Sequence, residues 1–371
     1  MLNNRLTTQS CNQKKVFLRA DLNVPLTETG IVDDQRLQAL LPTLQLLVQN
    51  AASTVIATHL GQPDPSNHDQ ALSTKRLLPW FAAHGFTPHF AATPTEALGQ
   101  LKQGTKLILL ENLRFFAGEQ SPNLAADFAK TLATLADCYV TDAFGTLHRN
   151  DTSIALLPLA FAPESRLYGL CIAQEAMALD KLRQAPKKPF LAILGGNKLA
   201  TKLPLIEQLV TAPEAERITH LLLGGCLAMG LEQTAPNLAA LAAKNRVAMI
   251  VPIDYLTDAA GNQIDIGPKT IDLFTPFLAS AQTIFANGTM GKYEEKDGQA
   301  GTYAMLKAIA GNPGYTLIGG GDCGAAAAQC GVGERMSFVS TGGGATLAYL
   351  ASKKPWEDLP GLFVLTYSEV K

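Results

Sequence analysis

The sequence predicts an α/β fold of two Rossmann-like parallel-sheet domains joined by a hinge helix, and three observations carry that expectation. Its 371 residues exceed what a single hydrophobic core usually supports. Short apolar runs alternate with helical patterns along the whole chain, as parallel α/β units require. The residues just after those runs change in kind halfway along the chain, from cationic side chains to glycines, so the halves share an architecture and differ in ligand.

In the first half, strands are expected at 15–20 (KVFLRA), 54–58 (TVIAT), 107–110 (LILL) and 138–141 (CYVT), with a weaker candidate at 86–90. The segment "DDQRLQALLPTLQLL" reads as a helix whose Leu37, Leu40, Leu41, Leu44 and Leu47 form one buried stripe, with Asp33 and Asp34 as N-caps. Residues 167–182, "LYGLCIAQEAMALDKL", read as one connecting helix, stopped by the breaker "QAPKKP". In the second half, strands are expected at 190–194, 219–223, 247–251, 283–286, 315–318 and 336–340.

Composition narrows the function. A formal net charge of −2 argues against nucleic-acid or anionic-membrane partners, so any anion site must be local. Hydrophobic residues make up 47% of the chain, with no uninterrupted run that approaches a membrane span and no apolar leader in "MLNNRLTTQS". The six cysteines lack any C-x-x-C pair and read as reduced thiols. A cytoplasmic protein is expected.

In open parallel sheets the ligand sits beyond the carboxyl ends of the strands. There the first half places Asp21 and Asn23 ("RADLNVPL"), His59 ("ATHLGQPD"), Arg114 ("LLENLRF"), and His148 with Arg149 ("DAFGTLHRN"). Arg36 joins them from a helix's first turn, where a cation opposes the macrodipole. Gathered in a chain of negative net charge, these groups predict a basic basin for a small, multiply charged anion.

The second half ends its strands in "LGGNK", "LGGC", "ANGTMG", "IGGGD" and "STGGGA". Glycine lets backbone approach a ligand and offers N–H donors where phosphate binds. Lys198 and Lys202, four apart, share a helical face beyond the first pair. Gly319, Gly321 and Gly324 match G-x-G-x-x-G, but Asp322 would repel a bare pyrophosphate and the next strand supplies no ribose-binding acid. A nucleotide carrying Mg²⁺ removes the conflict, with Asp322 on the metal side. No G-x-x-x-x-G-K-[ST] loop exists. A basic small-anion lobe and a Mg-nucleotide lobe together predict a phosphotransferase that closes to exclude water.

At these residues the chain resembles the phosphoglycerate kinase family, from "VFLRADLNVPL" to "FVSTGGGATLAYL", through "THLGQP", "YVTDAFGTLHR", "LAILGGNKLATK", "DIGPKT", "ANGTMG" and "IGGGD". The resemblance implies phosphoryl transfer between 1,3-bisphosphoglycerate and ADP, giving 3-phosphoglycerate and ATP, by a monomer. It puts Asp21, Asn23, Arg36, His59, Gln62, Arg114 and Arg149 on the glycerate substrate, with Arg36, Lys198 and Gly321 at the moving phosphoryl. Lys198, Lys202, Gly224, Gly225, Asn287, Glu294, Gly320, Gly321, Asp322 and Cys323 fall on the nucleotide. It also returns the C-terminal tail to the first lobe. The expected domains are then 1–166 with 355–371 for substrate and 183–354 for nucleotide.

Departures from the family pattern are Gln62 for an arginine, Cys323 for a threonine, Thr289 for a proline and Asp151 for a histidine; "GGCLAMGL" also lacks an adenine-side aromatic. Gln62 removes a charge-assisted contact, so weakened 3-phosphoglycerate binding is expected. The alternatives are a degenerate nucleotide-binding relative with little turnover and, from the G-x-G-x-x-G match alone, a nicotinamide oxidoreductase.

Overall fold

The computed structural model describes residues 4–28, 30–197, 199–229, 231 and 235–367. The chain divides into two compact units, one of residues 1–175 with 354–371 and the other of residues 176–353.

In the first unit the strands are β1 (Lys15–Ala20), β2 (Leu26–Thr27), β3 (Gly30–Ile31), β4 (Ser53–Ala57), β5 (His89–Ala91), β6 (Leu107–Leu110), β7 (Cys138–Asp142) and β8 (Arg166–Tyr168). Six of them form a parallel sheet in the order β5-β6-β4-β1-β7-β8, and β2 and β3 make a small antiparallel hairpin. The chain runs outward from β1 through β4 and its neighbours, then returns to the other side of β1 as β7. That reversal is the switch point at which α/β sheets bind ligands.

The second unit repeats the plan with β9 (Phe190–Leu194), β10 (His220–Leu223), β11 (Ala248–Ile250), β12 (Tyr255–Thr257), β13 (Gln263–Ile266), β14 (Thr283–Asn287), β15 (Tyr315–Gly319) and β16 (Phe338–Ser340). Its parallel sheet reads β11-β10-β9-β14-β15-β16, with the switch between β9 and β14, and β12 pairs antiparallel with β13. Central strands β4, β9 and β14 are buried at every residue, as sheets covered on both faces require.

Helix Gln35–Asn50 buries Leu37, Leu40, Leu44 and Leu47 against the first sheet. Each contributes about 1.5 to 3 kcal/mol of transfer free energy. Its acidic entrance differs from the expected caps. Asp33 Oδ1 accepts the Gln35 N–H at 2.9 Å, whereas the Asp34 carboxylate accepts from Trp80 Nε1 at 2.8 Å and Gln38 Nε2 at 3.0 Å.

The connecting helix starts later than its apolar pattern suggests, spanning Leu170–Arg183. Leu167 and Tyr168 belong to β8 and pair with Val140 and Thr141. At the turn, a Cβ on Gly169 would lie 2.3 Å from the Asp142 carboxyl carbon, so only glycine fits. Asp142 then caps the helix, accepting from Ile172 N–H at 3.0 Å and Cys171 N–H at 3.3 Å. Burial pushes that carboxyl up to about 6.

The C-terminal helix Pro360–Thr366 packs within the first unit: Asn4 Nδ2 donates to the Leu365 carbonyl at 2.6 Å, and Gly361 N–H to that of Leu147 at 2.9 Å. All six cysteines are free thiols, four of them buried. No helix among the described residues is long and apolar enough to cross a membrane.

Candidate active site

Where β1 ends, Asp21 is buried and pairs with Arg36 at 3.3 Å, and Arg36 Nη1 also donates to the Asn23 carbonyl at 3.0 Å. Arg36 therefore has local partners that offset its unfavourable place in the helix's first turn. Asn23 Oδ1 accepts the Gly61 N–H at 2.8 Å, and the Gly61 carbonyl accepts from Arg114 Nη1 at 2.6 Å. Gly61, in a left-handed conformation with φ 60°, thus ties the β1 and β4 loops to the residue beyond β6. Gln62 comes next and is exposed.

His59 is buried and meets Arg19 Nη2 through Nδ1 at 3.3 Å. Arginine only donates, so Nδ1 accepts and the ring proton sits on Nε2. That Nε2–H is buried with no hydrogen-bond partner. Burial first, then the charges of Arg19, Arg114, Arg149 and Arg36, hold the His59 pKa well below the usual histidine range. His59 is a neutral donor within reach of the charge of four guanidinium groups.

Arg114 is 2% exposed, and its Nε and Nη2 also lack hydrogen-bond partners. Those two N–H groups lie on the edge of the guanidinium that grips an oxyanion in bidentate fashion. Arg149 is half-buried nearby, and burial with the Arg149 charge also depresses His148. These cations lie near one another, and three of their buried donors, His59 Nε2 and Arg114 Nε and Nη2, have no hydrogen-bond partner, although Nη2 faces the Asp151 carboxylate at 3.5 Å.

Two of its supports escaped sequence reasoning. Arg19, fully buried within β1, donates from Nε to Ser153 Oγ at 2.8 Å. Glu119, also fully buried, accepts from Ser153 N–H at 3.0 Å and Ser153 Oγ–H at 2.6 Å. Burial pushes Glu119 up to about 7, against the opposing pull of Arg19. The available signal was the arginine inside "KVFLRA": a charge in a buried strand needs a reason.

In the second unit, Gly195 N–H donates to the Asn287 carbonyl at 3.0 Å, which closes the switch point between β9 and β14. Lys202 Nζ donates to the carbonyls of Gly195 and Asn287. The Lys202 side chain is buried, and desolvation lowers its pKa to about 8. Asn287 Nδ2 donates to the Gly319 carbonyl at 2.7 Å, tying in the β15 turn.

After that turn comes helix Gly321–Gln329. Gly320 enters it at φ 102°, and its carbonyl accepts the Gly324 N–H at 2.9 Å, so the N–H groups of Gly321, Asp322 and Cys323 start the helix without an i−4 carbonyl. Asp322 is exposed in this first turn. Cys323 turns inward, and burial pushes its thiol up to about 12, so it offers main chain rather than a side-chain oxygen.

A hollow of about 230 Å³ beside these turns is lined by Gly225, Tyr255, Met290, Glu294 and Asp322, among others. Tyr255 was missed in the sequence and supplies an aromatic that "GGCLAMGL" lacks. Asp265, also in its wall, accepts the Gly301 N–H at 2.6 Å, and burial pushes it up to about 6. Lys202, Gly224, Asn287, Gly320, Gly321 and Cys323 are not among the residues that line it. Lys198 lies outside the described residues.

The glycines divide into two roles. A Cβ at Gly195 would sit 2.1 Å from the Thr289 carbonyl oxygen and one at Gly224 would sit 2.2 Å from Met290 Sδ, whereas one at Gly321 would meet nothing within 4 Å. Those at 195 and 224 let protein pack on protein; Gly321 faces open space. A larger hollow, about 510 Å³ between Leu182, Arg183, Gln208, Glu216 and Lys353, holds none of the predicted site residues.

Among the described residues no three His, Cys, Asp or Glu side chains gather as a metal cage. A single exposed carboxylate at a helix start fits Mg²⁺ whose other ligands are a nucleotide's phosphates and water.

Comparison with known proteins gives a consistent result. The sequence model of the phosphoglycerate kinase family matches residues 6–235 and 231–353. Phosphoglycerate kinase of Koribacter versatilis is 34% identical, covering 96% of this chain and 97% of that relative. That of Streptomyces coelicolor is 36% identical, covering 97% and 98%. Among solved structures, phosphoglycerate kinase from Pyrococcus horikoshii superposes with a TM-score of 0.81 at 26% identity, over 97% of this chain and 98% of that one. The enzyme from Coxiella burnetii gives 0.77 at 29%, over 96% and 97%.

Proposed function

The chain belongs to the phosphoglycerate kinase family, an enzyme moving a phosphoryl group between 1,3-bisphosphoglycerate and ADP, and from that premise we propose how its two units divide the work. The first unit takes the glycerate ligand. Arg36, His59, Arg114 and Arg149 bind its anionic groups, and Asn23 with Asp21 holds the loops that carry them. The observation that carries this is the set of buried donors without a hydrogen-bond partner at His59 Nε2 and Arg114 Nε and Nη2, the last of which meets only a 3.5 Å ion pair with Asp151. Such donors are costly unless a ligand accepts from them.

The second unit takes ADP or ATP. The N–H groups of Gly321, Asp322 and Cys323 face phosphate oxygens, with the base in the hollow beside Tyr255 and Glu294. Gly224 and Gly225, with Lys202 and Asn287, hold the turns in place. Mg²⁺, when carried in by the nucleotide, neutralises phosphate charge, with Asp322 as its protein carboxylate. Arg36 and Lys198 stabilise charge on the transferred group, and Gly321 N–H does so from the nucleotide side. Gln62 leaves the glycerate site one cation short, which weakens 3-phosphoglycerate binding. Catalysis as a cytoplasmic monomer completes the reading.

The test is ADP formation from ATP and Mg²⁺ with and without 3-phosphoglycerate, in the intact protein and in Arg36→Met. Turnover that requires 3-phosphoglycerate and falls at least about 100-fold in the variant is expected. Turnover indifferent to either change would overturn the assignment.

A further inference from the structure

The cationic basin contains an acid that the reaction does not call for. Asp151 is buried at the entrance to the short helical turn Thr152–Leu156, and its Oδ2 lies 3.5 Å from Arg114 Nη2. At 3.5 Å the ion pair is long for a hydrogen bond, and neither Oδ2 nor Nη2 has any shorter polar partner. Oδ1 receives only a 3.4 Å contact from Gln120 Nε2. The carboxylate thus stands against the edge of Arg114 that is free to take an oxyanion, since Nη1 already donates to the Gly61 carbonyl. Its charge also reaches His148 and Glu119.

A carboxylate beside a guanidinium edge is chemically what a phosphate or carboxylate ligand would be there. The two compete. An incoming oxyanion must share Nε and Nη2 with Asp151 or push it aside, and meets a like charge in either case.

We propose that Asp151 is a built-in competitor for the bidentate edge of Arg114 and sets how tightly this enzyme holds small oxyanions. This rests on the reading of the basin as the glycerate site. It is distinct from the effect of Gln62: that position lacks an attractive group, whereas Asp151 supplies a repulsive one.

The test is direct binding of inorganic phosphate and of 3-phosphoglycerate by calorimetry, in the intact chain and in Asp151→Asn, with melting temperature recorded for each. Removing a like charge across roughly 5 Å at an effective dielectric of about 40 predicts tightening of about tenfold or more for both ligands. The Michaelis constant for 3-phosphoglycerate falls in step, while that for ATP does not follow it. Asp151→Ser, which removes the charge with a smaller side chain, gives the same direction and serves if the asparagine variant is poorly folded. Unchanged or weaker phosphate binding in a folded variant overturns the proposal. Phosphate binding does not depend on catalysis, so absence of 3-phosphoglycerate turnover in the intact chain would count against the functional reading and leave this result interpretable.

Discussion

Replacing Gln62 by arginine places a cation on the rim of the proposed glycerate site. The residue before it, Gly61, is fixed on both sides, its N–H to Asn23 and its carbonyl to Arg114. Position 62 is therefore held beside the basin by backbone hydrogen bonds that the substitution leaves in place. A charge-assisted hydrogen bond contributes about 1.5 to 3 kcal/mol. Gln62 is exposed, so water screens any charge placed there and holds the gain to the bottom of that range or just under it. About 1 to 1.5 kcal/mol corresponds to a Michaelis constant for 3-phosphoglycerate roughly 5- to 10-fold lower. The assay is coupled steady-state turnover at fixed ionic strength, with 3-phosphoglycerate varied at saturating ATP and Mg²⁺, then repeated at higher salt. The gain should shrink as salt rises, because the new contact is exposed. An unchanged Michaelis constant in the folded variant refutes the reasoning, and so does a gain that salt does not diminish.

Other expectations concern groups the fold has buried. Glu119 is held at about 7 against an ordinary 4.5, so the native state binds the extra proton and stability falls as pH rises from about 4.5 to about 7. Glu119→Gln should flatten that slope, worth up to about 3 kcal/mol, in urea unfolding followed at several pH values; an unaltered slope contradicts the assignment. Lys202 is lowered to about 8, so a nearby phosphate that restores its charge should draw a proton from solution at about pH 8 to 9. Calorimetry of ADP binding in buffers of different ionisation enthalpy measures that uptake, which should vanish in Lys202→Met. Gly195→Ala drives a Cβ to 2.1 Å from the Thr289 carbonyl oxygen and should cost about 2 to 4 kcal/mol in stability. Gly321→Ala meets open space and should cost well under half of that, with equal losses contradicting the division of the glycines.

The two parallel sheets were legible because buried strands write themselves as short apolar runs, and runs such as "FLAIL" coincide with β9 residue for residue. Strand β8 was not legible. Leu167 and Tyr168 continue the apolar pattern of the connecting helix, and the cap that separates them from it, Asp142, is distant in sequence. The basin was readable as a list of cations after strands. Its internal wiring was not, because Arg19, Ser153 and Glu119 are brought together by β1 and two irregular segments that carry no periodic signal. Glycine turns marked the second unit's strand ends, but composition cannot distinguish a glycine that faces open space, as Gly321 does, from one that admits a neighbouring carbonyl, as Gly195 does. Tyr255 entered from the β12–β13 hairpin, whose short strands gave no pattern to follow.

The most direct measurement is a crystal structure of the chain soaked with 3-phosphoglycerate and Mg-ADP. An oxyanion of the glycerate ligand should accept from His59 Nε2 and from Nε and Nη2 of Arg114, with the nucleotide's phosphates over the N–H groups of Gly321 to Cys323 and Mg²⁺ against Asp322. A glycerate ligand bound elsewhere, with those three donors still without a hydrogen-bond partner, or Mg-ADP away from that helix start, would contradict this assignment.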